Sequence, residues 1–185
     1  GTLRLYANAS AVVGVLTERL NAFCTKYPLV EIALQERITE EIIRACLDDR
    51  TDIGVGVAMQ VPRALESWHF AHDPLTVVLP RAHELGKKAR LRFTEVLAHP
   101  LVSISTGGAL DRLLHEQAAA CHMVIKVSVS VTSFDAVCLM VEAGLGIAVI
   151  PGRAAAAVAR AGRVIRRPLA EDWVNRELRL YALRK

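Results

Sequence analysis

Hydroxyl-bearing residues recur where strand patterns of this sequence give way to helix patterns. Helix N-termini offer unpaired backbone N–H groups and the positive end of the helix dipole. Hydroxyl donors at such junctions are suited to hydrogen bonding with a small anion. For any single residue of this kind, an N-cap without a ligand is the competing interpretation. The residues concerned are Ser10, Thr39, Ser105, Thr132 and Ser133.

Patterns typical of catalysis are absent from the sequence. It has no Gly-x-Ser-x-Gly nucleophile elbow and no His-Glu-x-x-His helix. The loop that begins at Ser105 lacks the Gly-Lys-Ser/Thr ending of a P-loop, which argues against nucleotide binding. His69 and His72 have a loose metal-like spacing, but residues i and i+3 of an extended segment point to opposite faces. We therefore expect no catalytic residue, no metal site and no cofactor.

The four cysteines show no C-x-x-C spacing and all lie in apolar stretches with helical periodicity. We expect buried free thiols in a reducing cytosol. A redox-sensing pair is the alternative, although no electropositive setting singles out one thiolate. The residues are Cys24, Cys46, Cys121 and Cys138.

Composition indicates a protein with a proper hydrophobic core. The chain has 185 residues, of which 52% are hydrophobic and only 5% aromatic. Such a balance favours layered helix–sheet packing over an aromatic-rich sandwich. No apolar run reaches the roughly 20 residues that span a bilayer, so we expect no membrane contact. No signal peptide is recognisable at Gly1, where a strand pattern has already begun.

The formal net charge of +4 is mild. Basic residues concentrate in 81–92 and 153–167, where Arg160, Arg163, Arg166 and Arg167 are candidates for a patch. A solvated helix face and loop is the preferred interpretation. Since neither interleaved aromatics nor a recognition helix accompanies these residues, we do not expect this chain itself to bind nucleic acid.

Strand and helix patterns alternate along the whole chain. They form two successive βαβαβ units that are connected by extended segments. This order predicts an α/β fold of two Rossmann-like lobes with a central cleft, like type 2 periplasmic binding proteins. The predicted strands are 3–7, 30–36, 52–57, 68–70, 75–79, 101–104, 125–131, 147–150, 164–168 and 178–183, and the predicted helices are 11–26, 39–47, 93–97, 109–120, 134–143 and 154–161.

The segment Val141–Pro151 is the most specific local pattern. Gly144 suits the left-handed conformation that ends a helix. Gly146 allows a close backbone approach to a sheet or a ligand. The apolar run Ile147–Ile150 is typical of a strand covered on both faces, and Pro151 then ends the ladder.

The sequence motif Gly-Leu-Gly-Ile-Ala-Val-Ile-Pro at 144–151 resembles a signature of the effector-binding domain of LysR-type transcriptional regulators. Segments 23–32, 47–55 and 73–83 are also similar to that family, in the family's order. The sequence departs from the family at Glu84, where proline is usual, and at Asp48–Asp49, which replaces a usual glycine turn.

The resemblance implies a regulatory lobe I formed by 1–73 plus 178–185 and a lobe II formed by 74–177. It also implies an N-terminal winged helix-turn-helix DNA-binding domain that this chain lacks, and a further helix after the last strand. Effector contacts of the family fall at the junctions described above. Carried over by position, they are Ser10, Thr39, Ser105, Thr132 and Ser133, with Phe134 as an apolar wall and Gly146 close by.

Together these features predict a cytoplasmic sensor that is not an enzyme. It would bind a small-molecule effector, expected to be a carboxylate, and would form a homodimer or homotetramer through helix 11–26 and a partner's helix 109–120. DNA would be contacted only through the absent N-terminal domain. A periplasmic-type solute-binding protein, or an enzyme on the same two-lobe scaffold, are the alternatives.

Overall fold

The computed structural model of the chain describes residues 1–159 and 162–185. Two compact units account for the fold. Unit 1 consists of Gly1–Asp73 and Arg176–Lys185, and unit 2 consists of Pro74–Asn175. Each unit is an α/β layer structure, as the alternating pattern predicted.

Unit 1 is a five-stranded sheet with helices inserted after its first two strands. Within the described residues, its strands are β1 (Thr2–Ala7), β2 (Glu31–Glu36), β3 (Ile53–Val57), β4 (Leu65–His72) and β10 (Glu177–Leu183). Its helical segments are α1 (Ala9–Ala11), a π-helical turn (Val12–Leu16), α2 (Thr17–Lys26) and α3 (Thr39–Leu47).

The unit 1 sheet has the strand order β2-β1-β3-β10-β4. β1 runs parallel to β2 and β3, whereas β10 runs antiparallel to both β3 and β4. The apolar side of α3 packs on this sheet, where Ile42 and Cys46 meet Leu65 and Tyr181 in one core cluster. Fully burying one such aliphatic side chain contributes about 1.5–3 kcal/mol, so this contact fixes α3 on the sheet.

The first helix departs from its prediction. An unbroken helix over 11–26 was expected to bury one apolar stripe, yet α1 begins at Ala9 and a π-helical turn interrupts the α-helical hydrogen bonding at Val12–Leu16. Val15 and Leu16 are buried within that turn, but no residue of α2 is buried. The inserted turn shifts the register of the later residues, so Leu20 and Phe23 do not continue the buried stripe.

Unit 2 also contains five strands among its described residues. They are β5 (Leu75–Pro80), β6 (Leu101–Ile104), β7 (Val127–Val131), β8 (Ala148–Pro151) and β9 (Val164–Pro168). Its helices are α4 (Phe93–Leu97), α5 (Ala109–Ala120), α6 (Phe134–Glu142) and α7 (Gly152–Val158), with 3-10 turns at Glu84–Lys87 and Asp172–Val174. The helix predicted over 154–161 begins earlier than expected, and residues 160 and 161 lie outside the described residues.

The strands of unit 2 repeat the order found in unit 1. β5 lies antiparallel between β8 and β9, and β6 pairs with β7 in parallel. A parallel bridge between Leu101 and Ile147 joins the two groups, and the Val102 N–H donates to the Ile147 carbonyl at 2.8 Å. The resulting order β7-β6-β8-β5-β9 has the same strand directions as β2-β1-β3-β10-β4.

The end of α6 confirms the pattern predicted at Val141–Pro151. Gly144 has φ of +81°, and its N–H bonds to the Val141 carbonyl at 2.9 Å. The Leu145 N–H bonds to the Met140 carbonyl at 3.1 Å, which completes a Schellman motif. All four residues of β8 are buried, as expected for a strand covered on both faces.

Two other helices end in the same motif without glycine. Asp49 after α3 has φ of +54° and His122 after α5 has φ of +56°. A left-handed conformation costs a residue with a side chain roughly 1–2 kcal/mol. Asp49 offsets part of this cost because Arg4 donates to its backbone carbonyl at 2.7 Å. The chain therefore keeps a left-handed turn after α3, although Asp48–Asp49 replaces the glycine turn that is usual in the family.

None of the helices in the described part of the chain is both long enough and apolar enough to cross a bilayer.

Candidate functional site

The carboxyl ends of β1 and β2 form one edge of the unit 1 sheet. The parallel register pairs Ala7 with Glu36, the last residue of each strand. Ser10 follows β1 by three residues and Thr39 follows β2 by three, so both lie beyond this edge. Both side chains are 3% exposed. The two hydroxyls predicted for unit 1 therefore belong to the same edge of one sheet.

Ser10 was expected at the helix junction, where the N-cap was its alternative role. The N-cap of α1 is instead Asn8, whose Oδ1 accepts from the Ala11 N–H at 3.1 Å. Ser10 lies in the first turn, and its hydroxyl donates to the same Asn8 oxygen over a long 3.5 Å. Asn8 was missed because Asn and Ser are equally good N-caps two positions apart. The Ser10 hydroxyl is therefore not needed to cap the helix.

For Thr39 the N-cap was the interpretation that competed with ligand contact, and Thr39 does not have that role. The N-cap is Ile38, and Thr39 is the first helical residue. Its Oγ1 accepts from the Val57 N–H at the end of β3 at 3.2 Å. A Cβ on Gly56 would lie 2.8 Å from that oxygen, so glycine permits this close approach. The Thr39 hydroxyl ties α3 to the sheet, and its own hydrogen remains a donor.

In unit 2 the paired ends of β6 and β7 bring the predicted residues together. Ile104 is paired with Val131, and the Ser105 N–H donates to the Val131 carbonyl at 2.7 Å. Thr132 and Ser133 follow directly on the neighbouring strand. The side chains of Ser105, Thr132 and Ser133 are all exposed. These three hydroxyls therefore border one accessible edge of the unit 2 sheet.

Ser133 caps α6, since its Oγ accepts from the Ala136 N–H at 3.2 Å. This arrangement leaves the hydroxyl hydrogen free to donate outward. Neighbouring Ser103, which sequence analysis did not select, donates to Asp111 Oδ1 at 3.4 Å and is thereby engaged with α5. The loop after Ser105 turns through Gly107, whose φ is +71°.

Phe134 and Gly146 have structural roles within unit 2. The Phe134 side chain is 7% exposed and belongs to the core. A Cβ on Gly146 would lie 2.8 Å from the Pro100 carbonyl oxygen, 2.9 Å from Ser128 Oγ and 3.2 Å from the Val102 nitrogen. Close packing against the start of β6 is therefore sufficient to require glycine at position 146. Whether either residue also faces a ligand stays a prediction.

His69 and His72 lie on the same face, contrary to the expectation for an extended segment. The register of β4 with β10 shifts between Leu178 and Arg179, which leaves Phe70 without a partner. This bulge adds one residue to the spacing, and the two imidazole rings come within 4.7 Å, centroid to centroid. Opposite orientation of the two side chains was therefore a wrong prediction.

The histidine pair nevertheless lacks the surroundings of a metal centre. Glu177 Oε1 lies 3.0 Å from His69 Nδ1 and also accepts from Arg179. Hydrogen bonding to His69 and then to Arg179 holds the pKa of the Glu177 carboxyl below its usual value. Among the described residues, no group of three or more His, Cys, Asp or Glu side chains is arranged to hold a metal ion.

The cysteines divide into two kinds, which corrects the expectation that all four are buried. Cys46 and Cys138 are buried, whereas Cys24 and Cys121 are exposed. Burial raises the pKa of the Cys46 thiol to about 11, and burial together with the Asp135 charge raises that of Cys138 to about 11. Both buried thiols are therefore protonated at neutral pH and are poor nucleophiles.

The arrangement at the two sheet edges is suited to binding. Hydroxyl groups and backbone N–H donors at helix starts hydrogen-bond anionic oxygens. Asn8 and Ser133 already cap their helices, and Thr39 is bonded to β3, so these positions are held rigidly. Rigid donors at the carboxyl ends of parallel strands match the usual location of ligands in open α/β sheets.

Comparison with known proteins gives a consistent assignment. Residues 1–185 match the family described as LysR substrate binding domain. An HTH-type transcriptional regulator of Escherichia coli, the uncharacterised YbhD, is 23% identical over 178 residues, which is 96% of this chain and 56% of that protein. The chain spans about half the length of the curated relatives it matches.

Solved structures share the fold over the whole chain. The Synechocystis CcmR regulatory domain in complex with 2-PG matches with a TM-score of 0.88 at 20% identity, covering 99% of this chain and 88% of that one. The BenM effector binding domain with its effector benzoate matches with a TM-score of 0.85 at 18% identity, covering 100% and 84%.

The likeness confirms the predicted α/β fold class, with two lobes as in periplasmic binding proteins. The match along its full length confirms the family resemblance read from residues 144–151, and the chain belongs to the LysR substrate binding domain family.

Proposed function

We propose that this chain is the effector-sensing domain of a LysR-type transcriptional regulator and that it binds a small organic anion. Ligand contacts would come from Ser10 and Thr39 of unit 1 and from Ser105, Thr132 and Ser133 of unit 2. The domain would carry out no chemistry of its own, would need no cofactor, and would act in the cytoplasm, where regulated DNA is found.

The observation that supports this proposal most directly is the edge shared by β6 and β7. There the Ser105 N–H donates to the carbonyl of Val131, the residue that precedes Thr132 and Ser133, and all three hydroxyl-bearing residues are exposed. In unit 1, Ser10 and Thr39 lie beyond the corresponding edge of a sheet with the same strand order. Within residues 1–159 and 162–185 none of these hydroxyls is bonded to a carboxylate, which suits an anion. Benzoate and 2-PG are the ligands of the two structural relatives described above.

Thermal unfolding in the presence of small carboxylates and phosphorylated acids tests the proposal. A ligand that binds only the folded chain stabilises it by RT ln(1 + [L]/Kd), about 2.7 kcal/mol at 100 times Kd. We expect at least one small anion to raise the unfolding midpoint. If only cations or nucleotides raise it, the proposed anion site is wrong.

Calorimetric titration of variants then locates the site. Ser10→Ala and Ser105→Ala should each weaken binding by roughly 1 kcal/mol, which is about a fivefold change in Kd. Thr25→Ala is a matched control, because the Thr25 hydroxyl only donates to the Asn21 carbonyl within α2. Unchanged affinity in both serine variants would place the ligand elsewhere.

Assembly into a homodimer or homotetramer is part of the proposal. α2 has no buried residue, and the neighbouring Tyr27, Leu29 and Leu34 are exposed in unit 1. In unit 2, α5 buries only Leu110 and Ala118. Open apolar faces of this kind favour a two-fold contact between identical chains. Sequence-specific DNA binding would come from an N-terminal helix-turn-helix domain, and the name HTH-type transcriptional regulator of several relatives supports this part of the proposal.

A ligand can change such an assembly only through its preference for one arrangement of the domain. In sensing, the bound anion would stabilise one arrangement of the domain. The geometry between subunits would change as a result, and this change would alter transcription.

A further inference from the structure

Two basic stretches, separated by about seventy residues in sequence, form one surface of unit 2. β5 and β9 pair from Thr76–Pro168 to Pro80–Val164, which brings the segment after β5 beside β9. The 3-10 turn Glu84–Lys87 packs against β9, and a Cβ on Gly86 would lie only 2.4 Å from Ile165 Cδ1. The name basic face is used here for Arg81, Lys87, Lys88, Arg90, Arg163, Arg166 and Arg167.

Guanidinium–carbonyl hydrogen bonds hold the two stretches together. Arg167 donates through Nε to the Lys88 carbonyl at 2.9 Å and through Nη2 to the Gly86 carbonyl at 2.8 Å. Arg81 Nη1 donates to the Gly162 carbonyl at 3.3 Å. These bonds satisfy donors without neutralising any charge, so the positive charges remain.

Between the two stretches lies a shallow cavity of about 470 Å³, lined among others by Lys87, Lys88, Arg166 and Arg167. Two members of the face have an acidic partner, since Lys88 is paired with Glu95 and Arg163 with Glu142. Lys87 and Arg166 are exposed, and within residues 1–159 and 162–185 neither forms an ion pair with an acidic side chain. The cavity is therefore lined by several positive charges and is open to solvent.

The positive charge of the chain is concentrated on this face. Segments 81–92 and 162–168, which contain the seven residues of the basic face and Arg92, hold eight of the 23 Lys and Arg residues and one of the 19 Asp and Glu residues. Glu95 and Glu142, which pair with Lys88 and Arg163, lie outside these two segments. The rest of the chain therefore carries 15 basic and 18 acidic side chains and is net negative. From the sequence, these basic residues were interpreted as a solvated helix face and loop. In the structure, those of the two segments lie on one surface beside β9.

The sequence alone predicted that DNA is contacted only through an N-terminal domain, and the pairing of the two basic stretches leads to a different inference. We propose that the basic face binds the phosphodiester backbone of double-stranded DNA without sequence preference, in addition to the sequence-specific contacts expected of that N-terminal domain. The inference rests on the proposed function, which places this domain beside DNA in the full-length protein. Closely spaced cations displace the counterions condensed on DNA, and this supplies sequence-independent affinity. The phosphate backbone needs no groove-reading element, which is consistent with a face built from a strand edge and a short turn.

An acidic protein partner fits this face less well. Protein–protein contacts depend on buried aromatic or aliphatic anchors at their centre. None of the large exposed hydrophobic residues in the described part of the chain lies in 81–92 or 162–168. The face offers charge without such an anchor, which favours a phosphate backbone.

Fluorescence anisotropy of a labelled duplex of about 20 base pairs, with a scrambled sequence, tests the proposal on this chain. We expect binding at about 25 mM NaCl that weakens steeply with salt. Four contacted phosphates would give a loss of roughly 100-fold between 50 and 200 mM. A duplex of any other sequence should bind equally well. Absence of binding at the lowest salt, or a strong sequence preference, would overturn the proposal.

Paired charge reversals locate the contact. Lys87→Glu with Arg166→Glu should weaken binding at least tenfold, whereas Arg44→Glu with Arg63→Glu, two exposed arginines of unit 1, should change it less than twofold. The control alters net charge equally. Equal losses in the two double variants would show that only net charge matters and would contradict a defined face.

Two further measurements make these results decisive. Lys87→Gln with Arg166→Gln should also weaken binding, and circular dichroism checks that each variant is folded. A polyglutamate peptide that competes as well as unlabelled duplex of equal charge would instead assign the face to an acidic protein. Failure of the effector proposal would appear in thermal unfolding with small anions and would leave the DNA titration unaffected.

Discussion

Replacement of Gly146 by alanine tests whether this residue serves packing or ligand approach. The added methyl group would lie 2.8 Å from the Pro100 carbonyl oxygen and 3.2 Å from the Val102 nitrogen, and neither backbone atom can move alone. The same two groups bond to Ile147, which accepts from Val102 at 2.8 Å and donates to Pro100 at 3.0 Å. The methyl group would therefore separate the β6–β8 bridge.

The magnitude follows from these contacts. Overpacking costs typically about 1–3 kcal/mol, and weakening of two hydrogen bonds adds about 1 kcal/mol each. We expect Gly146→Ala to lower the free energy of unfolding by at least about 4 kcal/mol, because φ of +159° at Gly146 is itself unfavourable for alanine and adds to these contacts. Gly144→Ala is the matched control, because its Cβ would meet nothing within 4 Å and only the left-handed backbone is penalised, by about 1–2 kcal/mol.

Thermal unfolding of the two variants distinguishes these cases. A difference of 2–3 kcal/mol corresponds to roughly 5–10 °C in the unfolding midpoint of a chain this size. If Gly146→Ala is no less stable than Gly144→Ala, the packing argument is refuted. A stable Gly146→Ala chain that no longer responds to a stabilising anion would instead support the predicted place of Gly146 in the ligand site.

Three further outcomes are expected. His122→Gly should raise the free energy of unfolding by about 1 kcal/mol, because glycine has no penalty at φ of +56°; a lower thermal midpoint would contradict this. The pKa of His83 is lowered chiefly by burial and then by the neighbouring His99, and its Nδ1 accepts from the Leu85 N–H at 3.1 Å only when unprotonated. The unfolded chain therefore binds this proton more readily, and stability falls as pH drops below the ordinary histidine value of 6.5 toward the lowered pKa. His83→Asn, which keeps a capping oxygen, should lose less stability than the unaltered chain between pH 7.5 and 5 in thermal scans. An equal loss of stability in both would exclude His83 as the cause. Sedimentation at micromolar concentration should show a dimer that Val13→Glu or Leu114→Glu dissociates, whereas folded variants that remain dimeric would rule out this interface.

Features set by local sequence could be predicted. The helix stop at Gly144 and the buried strand β8 follow from conformational preferences and apolarity within a few residues. Ser133 was correctly assigned to a helix start, since its side chain is a good N-cap and apolar residues follow. The alternation of strands and helices gave the α/β class for the same reason.

Features set by pairing between distant segments could not be predicted. The bulge that brings His69 beside His72 depends on the register of β4 with β10. Thr39 fails to cap α3 because its hydroxyl is bonded to Val57 of another strand. Contact between the two basic stretches likewise depends on β5–β9 pairing. No periodicity within a single segment encodes these contacts.

The position of β10 in unit 1 has a consequence for folding during synthesis. β10 lies between β3 and β4, and among the described residues β4 has no other strand partner. Unit 2 is complete once Asn175 has been made, whereas unit 1 still lacks the strand that joins β4 to the rest of its sheet. The half of the domain that emerges first from the ribosome is therefore the half that closes last. Until residues 176–185 appear, β3 and β4 expose backbone groups that invite pairing with other chains.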